Sequence, residues 1–167
     1  MNDFETARQC FFEGLRLLEA NNLQGAETQF ARALELIPNR ASTLNNLSAV
    51  KIKLRKFEEA EKLALRAVVL EEESPEAWSN LATALAASGR NEEALRACDS
   101  ALKCNSSYAI AWLARAASLR ELKRFAEALE ACDQALKLDP AKYETLYHKS
   151  LILKDLNRLN EAQGPWP

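Results

Sequence analysis

The sequence has few residues that interrupt helices and few that favour strands. Only 4 of its 167 residues are Gly and 5 are Pro, and it contains 4 Ile and 3 Val. This scarcity excludes an all-β fold or a parallel sheet, because strands are rich in β-branched side chains. The commonest residues are 29 Ala, 27 Leu and 19 Glu, which are good helix formers. We therefore expect an all-α domain rather than a sheet or a disordered chain.

The sequence also lacks an excess of one charge and any long apolar run. Lys and Arg number 22 against 24 Asp and Glu, which gives a net charge of −2. Nucleic-acid-binding domains usually carry a basic excess, because their affinity comes largely from neutralised phosphates. No apolar run reaches the roughly 18 residues that span a bilayer, and charges spread through residues 1–20 are unlike a secretory signal. We expect a cytoplasmic protein without a nucleic-acid or membrane partner.

Patterns typical of catalytic and metal sites are missing as well. Cys10, Cys98, Cys104 and Cys132 include no closely spaced pair such as C-x2-C. We interpret them as free thiols in a reducing compartment, with Cys98 and Cys132 in the core. His148 is the only histidine and has no nucleophile beside it, and the chain has no glycine-rich phosphate-binding loop. We expect no catalytic residue, no enzyme activity, no metal and no cofactor.

The chain repeats itself every 34 residues. Two columns of alanine and one of leucine or valine share this period. The columns are Ala26, Ala60, Ala94, Ala128 and Ala162, then Ala33, Ala67, Ala101 and Ala135, then Leu34, Val68, Leu102 and Leu136. Each unit contains two apolar stripes of helical period separated by a short turn, and small side chains allow two such helices to cross closely. A single pair cannot bury both of its faces, so we expect the pairs to stack into a solenoid.

The period and the stripes predict the boundaries of the helices and repeats, with the ends uncertain by a few residues. The predicted helices cover about 4–20, 23–37, 41–54, 57–71, 75–88, 91–104, 109–122, 125–138 and 142–156. The predicted repeats cover about 7–40, 41–74, 75–108 and 109–142, followed by a partial fifth repeat at 143–163. All of them form a single domain over residues 1–167.

The third unit resembles the tetratricopeptide repeat. Trp78, Leu81 and Leu85, followed by Ala94, match the family pattern W-x2-L-G-x2-Y…A. The resemblance extends over four units and the first helix of a fifth. It implies a right-handed α-solenoid of stacked antiparallel helix pairs, in which the first helix of each pair lines a concave groove. It also implies a non-enzymatic scaffold that binds a peptide or helix of another protein in this groove.

The resemblance assigns a set of residues on the first helices to the groove. Their side chains are small and polar in the middle of the array and apolar at both ends. The residues are Phe11, Leu15, Ser42, Asn45, Asn46, Ala49, Ser79, Asn80, Thr83, Ile110, Leu113 and Tyr147.

Asn46 and Asn80 occupy the same place in consecutive units. They resemble the asparagine ladder with which some family members hold an extended peptide, since one amide can both donate and accept hydrogen bonds. A role in helix packing is the alternative, because only two of the five units keep the asparagine. Both interpretations remain open from the sequence.

A carboxylate clamp of the kind found in chaperone-binding members is not expected. That clamp needs Lys and Arg on the third of three first helices, to bind a terminal carboxylate by charge-assisted hydrogen bonds. The places that correspond to its cations hold no Lys or Arg, and include Glu76, Ile110 and Glu144. We therefore expect no binding to the C-terminal tails of Hsp70 or Hsp90.

Charged residues interrupt two apolar columns of the repeat. Glu13, Arg115 and Lys149 replace leucine in one column, and Lys51 replaces leucine in another. We expect the long stems to lie along apolar surface while the charged groups stay in water.

Two further functions are compatible with the sequence. The repeat pattern stops abruptly after Ala162, which favours a chain cut from a longer protein, such as the N-terminal recognition segment of a transferase. Alternatively, unsatisfied ends of the solenoid could drive self-assembly into a homo-oligomer. The apolar residues at these ends are Phe4, Phe11 and Phe12 on one side and Leu151, Leu156 and Leu159 on the other.

Overall fold

The computed structural model describes residues 2–156, in which all regular structure is α-helical. The helices are α1 (Asp3–Glu19), α2 (Leu23–Leu36), α3 (Ala41–Lys53), α4 (Phe57–Leu70), α5 (Pro75–Ala87), α6 (Asn91–Cys104), α7 (Ala109–Glu121), α8 (Phe125–Leu138) and α9 (Tyr143–Asp155). The predicted helices are confirmed, with every end within one residue of its expected position. Residues 157–163 of the predicted fifth repeat, including Leu159 and Ala162, lie outside the described residues.

The helices pack as successive pairs. Contacts within a pair join α1 to α2, α3 to α4, α5 to α6 and α7 to α8. The second helix of each pair also contacts the first helix of the next pair, and the first helices α3, α5, α7 and α9 contact one another in turn. The predicted all-α solenoid of stacked helix pairs is therefore confirmed.

The turn inside each of the first four pairs has the same backbone geometry. One residue has a positive φ, and its side chain differs from unit to unit: Asn21, Arg55, Gly89 and Lys123. In the first pair the backbone N–H of Asn22 donates to the Leu17 carbonyl at 2.8 Å, and the equivalent bond is present in the other three. This is the Schellman arrangement, which satisfies carbonyl groups at a helix C-terminus. It ends each first helix and reverses the chain direction.

Tryptophan fixes two of the turns between pairs. Trp78 Nε1 donates to the Glu72 carbonyl at 2.7 Å, and Trp112 Nε1 donates to the Ser106 carbonyl at 2.9 Å. Each indole thus lies at the start of a first helix and binds the turn that precedes it. The two bonds are related by the repeat, so both units begin in the same geometry.

The two helices of a pair cross where the first helix has a small buried residue. In the first pair this residue is Gly14, where an added Cβ would lie 2.6 Å from the ring of Phe30. In the second pair, Ser48 Oγ donates to the Ala60 carbonyl of the facing helix at 3.0 Å. The equivalent residues of the next two pairs are Ala82 and Ala116.

Lys51, which interrupts an apolar column, is held between two carboxylates. Its Nζ lies 2.5 Å from Glu27 and 2.5 Å from Glu59, on the helices before and after α3, and its side chain is only 12% exposed. Burial of Glu27 opposes its ionisation, yet hydrogen bonds from Lys51 and Lys56 hold its pKa below the ordinary value. The charge of Lys51 is therefore neutralised by neighbouring helices rather than exposed to water.

Arg115 and Lys149 form equivalent ion pairs one repeat apart. Arg115 on α7 pairs with Asp99 on the preceding helix, α6. Lys149 on α9 pairs with Asp133 on the preceding helix, α8, where its Nζ lies 2.7 Å from the carboxylate. These charged groups remain partly exposed to water, as expected, and each also makes an interhelical ion pair that the repeat columns did not predict.

Replacing Gly14 by Ala should destabilise the protein, although alanine is the better helix former. The new Cβ would overlap the ring of Phe30, which is fully buried. Overpacking costs about 1–3 kcal/mol, against about 1 kcal/mol gained by removing a helical glycine. We expect a lower urea midpoint with an unchanged m-value. Combining the change with Phe30→Leu should shrink the loss in a double-mutant cycle, whereas a raised midpoint for Gly14→Ala would contradict the close crossing.

Cys104 should be the one thiol of the described chain that reacts rapidly in the folded protein. Cys104 is exposed, whereas Cys10, Cys98 and Cys132 are buried, and burial raises the pKa of Cys98 and Cys132 to about 12. The thiolate is the reactive form, so DTNB should label about one thiol per chain quickly and the rest only after unfolding. Cys104→Ser should remove the fast phase; fast labelling of Cys98 in that variant would contradict the buried core.

Candidate functional site

The candidate residues lie on α1, α3, α5, α7 and α9, with two to four on each helix except α9, which has one. Most of them are spaced by three, four or seven residues, which puts them on one side of each helix, whereas Asn45 and Ser79 directly precede Asn46 and Asn80 and point further towards the interior. We call this surface the first-helix face; it consists of the twelve residues assigned to the groove above. Ser42, Ile110 and Tyr147 are exposed, Ser79 is buried, and the others are half-buried.

At the α1 end of the first-helix face, apolar side chains are partly used by the core. Phe11 and Leu15 both pack against the cluster of buried residues. The guanidinium of Arg40 lies 5.3 Å from the centroid of the Phe11 ring. Arg8 stacks similarly over Phe12, which is 56% exposed. The repeat columns missed Arg40 because it lies in the turn directly before α3 and not on a first helix.

The two asparagines of the proposed ladder already make internal hydrogen bonds. Asn80 Nδ2 donates to the Asn45 carbonyl on the preceding first helix at 3.1 Å, and Asn46 Nδ2 donates to the Ser42 carbonyl at 2.8 Å. Each bond uses one of the two amide hydrogens, which leaves the second hydrogen and the Oδ1 atom for other partners. Asn80 therefore contributes to helix packing and can still present an amide edge to a ligand.

Two polar atoms in the middle of the first-helix face have no hydrogen-bond partner among residues 2–156. They are Asn45 Oδ1 and Ser79 Oγ, which occupy the same place in consecutive units and are both buried. Thr83 Oγ1 donates to the backbone carbonyl of Ser79 at 2.9 Å. This bond does not involve the side-chain hydroxyl of Ser79, which has no hydrogen-bond partner in the described part of the chain. An unpaired buried polar atom costs about 1–3 kcal/mol. Both atoms are enclosed by the protein, so they are not open to a ligand that lies on this surface.

The α7–α9 end of the first-helix face is apolar. Ile110 is 50% exposed and Tyr147 is 45% exposed. Leu113, one helical turn after Ile110 on α7, is half-buried. The His148 ring lies edge-on to Tyr147, with 6.1 Å between the ring centroids. Burial, with a smaller effect from Arg120, lowers the pKa of His148 below its usual value, so the imidazole is neutral at physiological pH. This end is suited to apolar side chains rather than to charge.

Neither a metal-binding cluster nor a membrane-spanning helix lies in the part of the chain that the structure describes. No group of three or more His, Cys, Asp or Glu within residues 2–156 is placed to hold a metal ion. Over the same residues, no helix is both long and apolar enough to cross a bilayer.

A family model matches the sequence, and solved structures match the architecture. The tetratricopeptide repeat family model matches residues 45–109 and 81–143. Among solved structures, TTC0263, a TPR protein of Thermus thermophilus, is 23% identical and has a TM-score of 0.85; the match covers 93% of this chain and 86% of that chain. MamA from Desulfovibrio magneticus RS-1 is 15% identical with a TM-score of 0.75, covering 94% of this chain and 89% of the other.

YrrB, described as a TPR protein with an unusual peptide-binding site, is 19% identical with a TM-score of 0.65, covering 92% of this chain and 79% of that one. Identities this low show the fold alone. No curated protein sequence matches the chain. The family match extends from residue 45 to residue 143, more than half of the sequence, and the chain therefore belongs to the tetratricopeptide repeat family.

Proposed function

We propose that this protein is a non-enzymatic scaffold that binds a peptide or helix of another protein on its first-helix face, which is the concave surface in this family. The observation that carries the proposal is the set of available polar atoms in the middle of that face. Asn46 and Asn80 each keep one amide hydrogen and the Oδ1 acceptor, because each uses only one amide hydrogen in an internal bond. A peptide backbone supplies both donors and acceptors to match them.

The two halves of the face suit different parts of a ligand. The polar centre suits the backbone N–H and C=O groups of a ligand, so binding there would not depend on the side chains of the ligand. The exposed Ile110 and Tyr147, with Leu113, provide contact for an apolar side chain. A partner segment would therefore be extended over α3 and α5 and place an apolar residue against α7 and α9. YrrB, which has the same fold, is described as having a peptide-binding site, and this supports a peptide as the ligand.

The charges of the face also restrict the partner. The clamp positions lack the cations needed for a terminal carboxylate, so the tails of Hsp70 and Hsp90 are not proposed as ligands. Arg120, which lies on α7, is bonded to Asp155 at 2.7 Å. Recognition would then depend on shape and amide contacts, with a protein partner in the cytoplasm and no role for nucleic acid or membrane.

Replacing Asn46 and Asn80 by Ala should weaken binding of a groove ligand. Each lost hydrogen bond removes about 1 kcal/mol, so the double variant should bind roughly 10–100-fold more weakly. The ligand would first be isolated by affinity capture from a native lysate with the wild-type protein, and its affinity for both proteins then measured by calorimetry. Unchanged affinity would contradict the proposed site.

Two controls separate binding from stability. Asn80 also bonds the Asn45 carbonyl, so the single variant Asn46→Ala, which loses only a bond within α3, isolates the effect on binding. The variant Ser100→Ala/Gln134→Ala removes polar groups from the second helices instead and should bind like the wild type. Equal losses in this variant and in Asn46→Ala/Asn80→Ala would show a general effect rather than a groove.

A further inference from the structure

We propose that the outer face of α4 pairs with the same face of a second copy of this chain, in an antiparallel arrangement related by a two-fold axis. This contact is distinct from the first-helix face and from the ends of the solenoid. Its centre is Val69, which is 84% exposed and is the most exposed large apolar side chain among the described residues. Leu65, one helical turn before it, is 45% exposed.

Four residues define this surface, which we call the α4 outer stripe: Lys62, Leu65, Val69 and Glu72. The first three are spaced by three and four residues, which places them on one side of α4. Glu72 follows in the turn directly after the helix. The stripe thus has an apolar centre with a cation before it and an anion after it.

The other second helices show that the fold does not need apolar residues at these places. Leu65 corresponds to Ala31, Asp99 and Asp133, and Val69 corresponds to Glu35, Lys103 and Lys137. Asp99 and Asp133 form the ion pairs with the next first helix described above. Only α4 among the described second helices carries two large apolar residues at these places. Stacking of the repeats therefore does not explain why they are apolar in α4.

Internal packing accounts for part of Leu65 but not for Val69. Leu65 lines a cleft of about 340 Å³ between α4 and α6 together with Trp78, Leu81 and Ala97. In this unit Leu65 and Leu81 take the places that Asp99 and Arg115 occupy in the next one. Val69 lies outside this cleft and is nearly as exposed as an isolated residue. A second helix lying along the stripe would cover Val69 and the open side of Leu65 together.

The charges of the stripe indicate that the second helix is another α4. A two-fold axis midway between Leu65 and Val69 would place Leu65 against Val69 of the second copy. The pair Lys62 and Glu72 is centred on the same point of the chain, so the same axis would bring Lys62 towards the turn that holds Glu72 of the second copy. Neither Lys62 nor Glu72 has an ion pair or side-chain hydrogen bond within residues 2–156. A parallel arrangement would instead bring the two Lys62 side chains together, which is unfavourable.

The expected dimer is weak and reversible. Stable protein–protein interfaces bury about 1,200–2,000 Å² in total, and one pair of helices with two large apolar residues each falls below this range. The contact should therefore form as the protein concentration rises and dissociate on dilution. Exposed ion pairs at its rim should make the dimer weaker at high salt.

Sedimentation velocity of the full chain over a range of concentrations tests the proposal. The wild type should shift from monomer to dimer, and Val69→Lys should weaken the dimer at least about tenfold. Lysine already stands at this place in α6 and α8, so the variant should keep its helicity by circular dichroism. The double variant Leu65→Asp/Leu81→Arg introduces the ion pair that Asp99 and Arg115 form between α6 and α7. It should also weaken dimerisation without loss of the fold.

A charge exchange tests the antiparallel register separately. Lys62→Glu should weaken the dimer, and adding Glu72→Lys should restore it, since opposite charges would face each other again. Leu138→Lys, which replaces an apolar residue of 42% exposure on α8, should leave dimerisation unchanged. So should Asn46→Ala/Asn80→Ala, which alters only the first-helix face.

Three results would overturn the proposal. One is a strict monomer at the highest soluble concentration of the wild type. Another is a dimer that Val69→Lys leaves intact, which would place the contact elsewhere, for example at the ends of the solenoid. The third is a failure of Glu72→Lys to restore the dimer of Lys62→Glu, which would exclude the two-fold arrangement centred between Leu65 and Val69.

Discussion

The close crossing of the two helices in each pair is the contact on which the rest of the solenoid depends. It sets the distance between first and second helix, and because each pair packs on the one before it, a change in one crossing would be passed on to the next pair. Size is balanced within the crossing of the first pair. The unit with the largest facing residue, Phe30, has the smallest crossing residue, Gly14. The third and fourth units combine intermediate sizes, Ala82 with Cys98 and Ala116 with Cys132.

Once this distance is set, the contact between one pair and the next can be either apolar or ionic. Leu65 and Leu81 occupy the same places as Asp99 and Arg115 one unit later. Partly exposed ion pairs contribute little to stability, so the choice has a small effect on the fold. Its larger effect is on the surface, because a charged pair keeps the outside of a second helix polar whereas two leucines leave it apolar. The outer surface can therefore change from unit to unit while the solenoid stays the same.

The regular features of this fold were predictable because every unit repeats them. The period placed each helix end within one residue, and the alanine columns identified the crossing helices. The pairing of Arg115 with Asp99 was also accessible, since Lys149 and Asp133 keep the same spacing in the next unit. The bond from Asn80 to the Asn45 carbonyl was not, because it depends on the distance between two first helices and no local pattern contains that distance.

Opposite faces of the array are suited to different partners for a geometric reason. The first and second helices of a pair present their outward sides in different directions, so a peptide on α3 and α5 would not touch the outer stripe of α4. A dimer through that stripe would carry two first-helix faces that remain open. A partner with two copies of a binding segment would then bind the dimer with higher apparent affinity. The increase would come from the effective concentration of the second segment, without any new contact. Self-association and ligand binding would reinforce each other through avidity, without a conformational change in either surface.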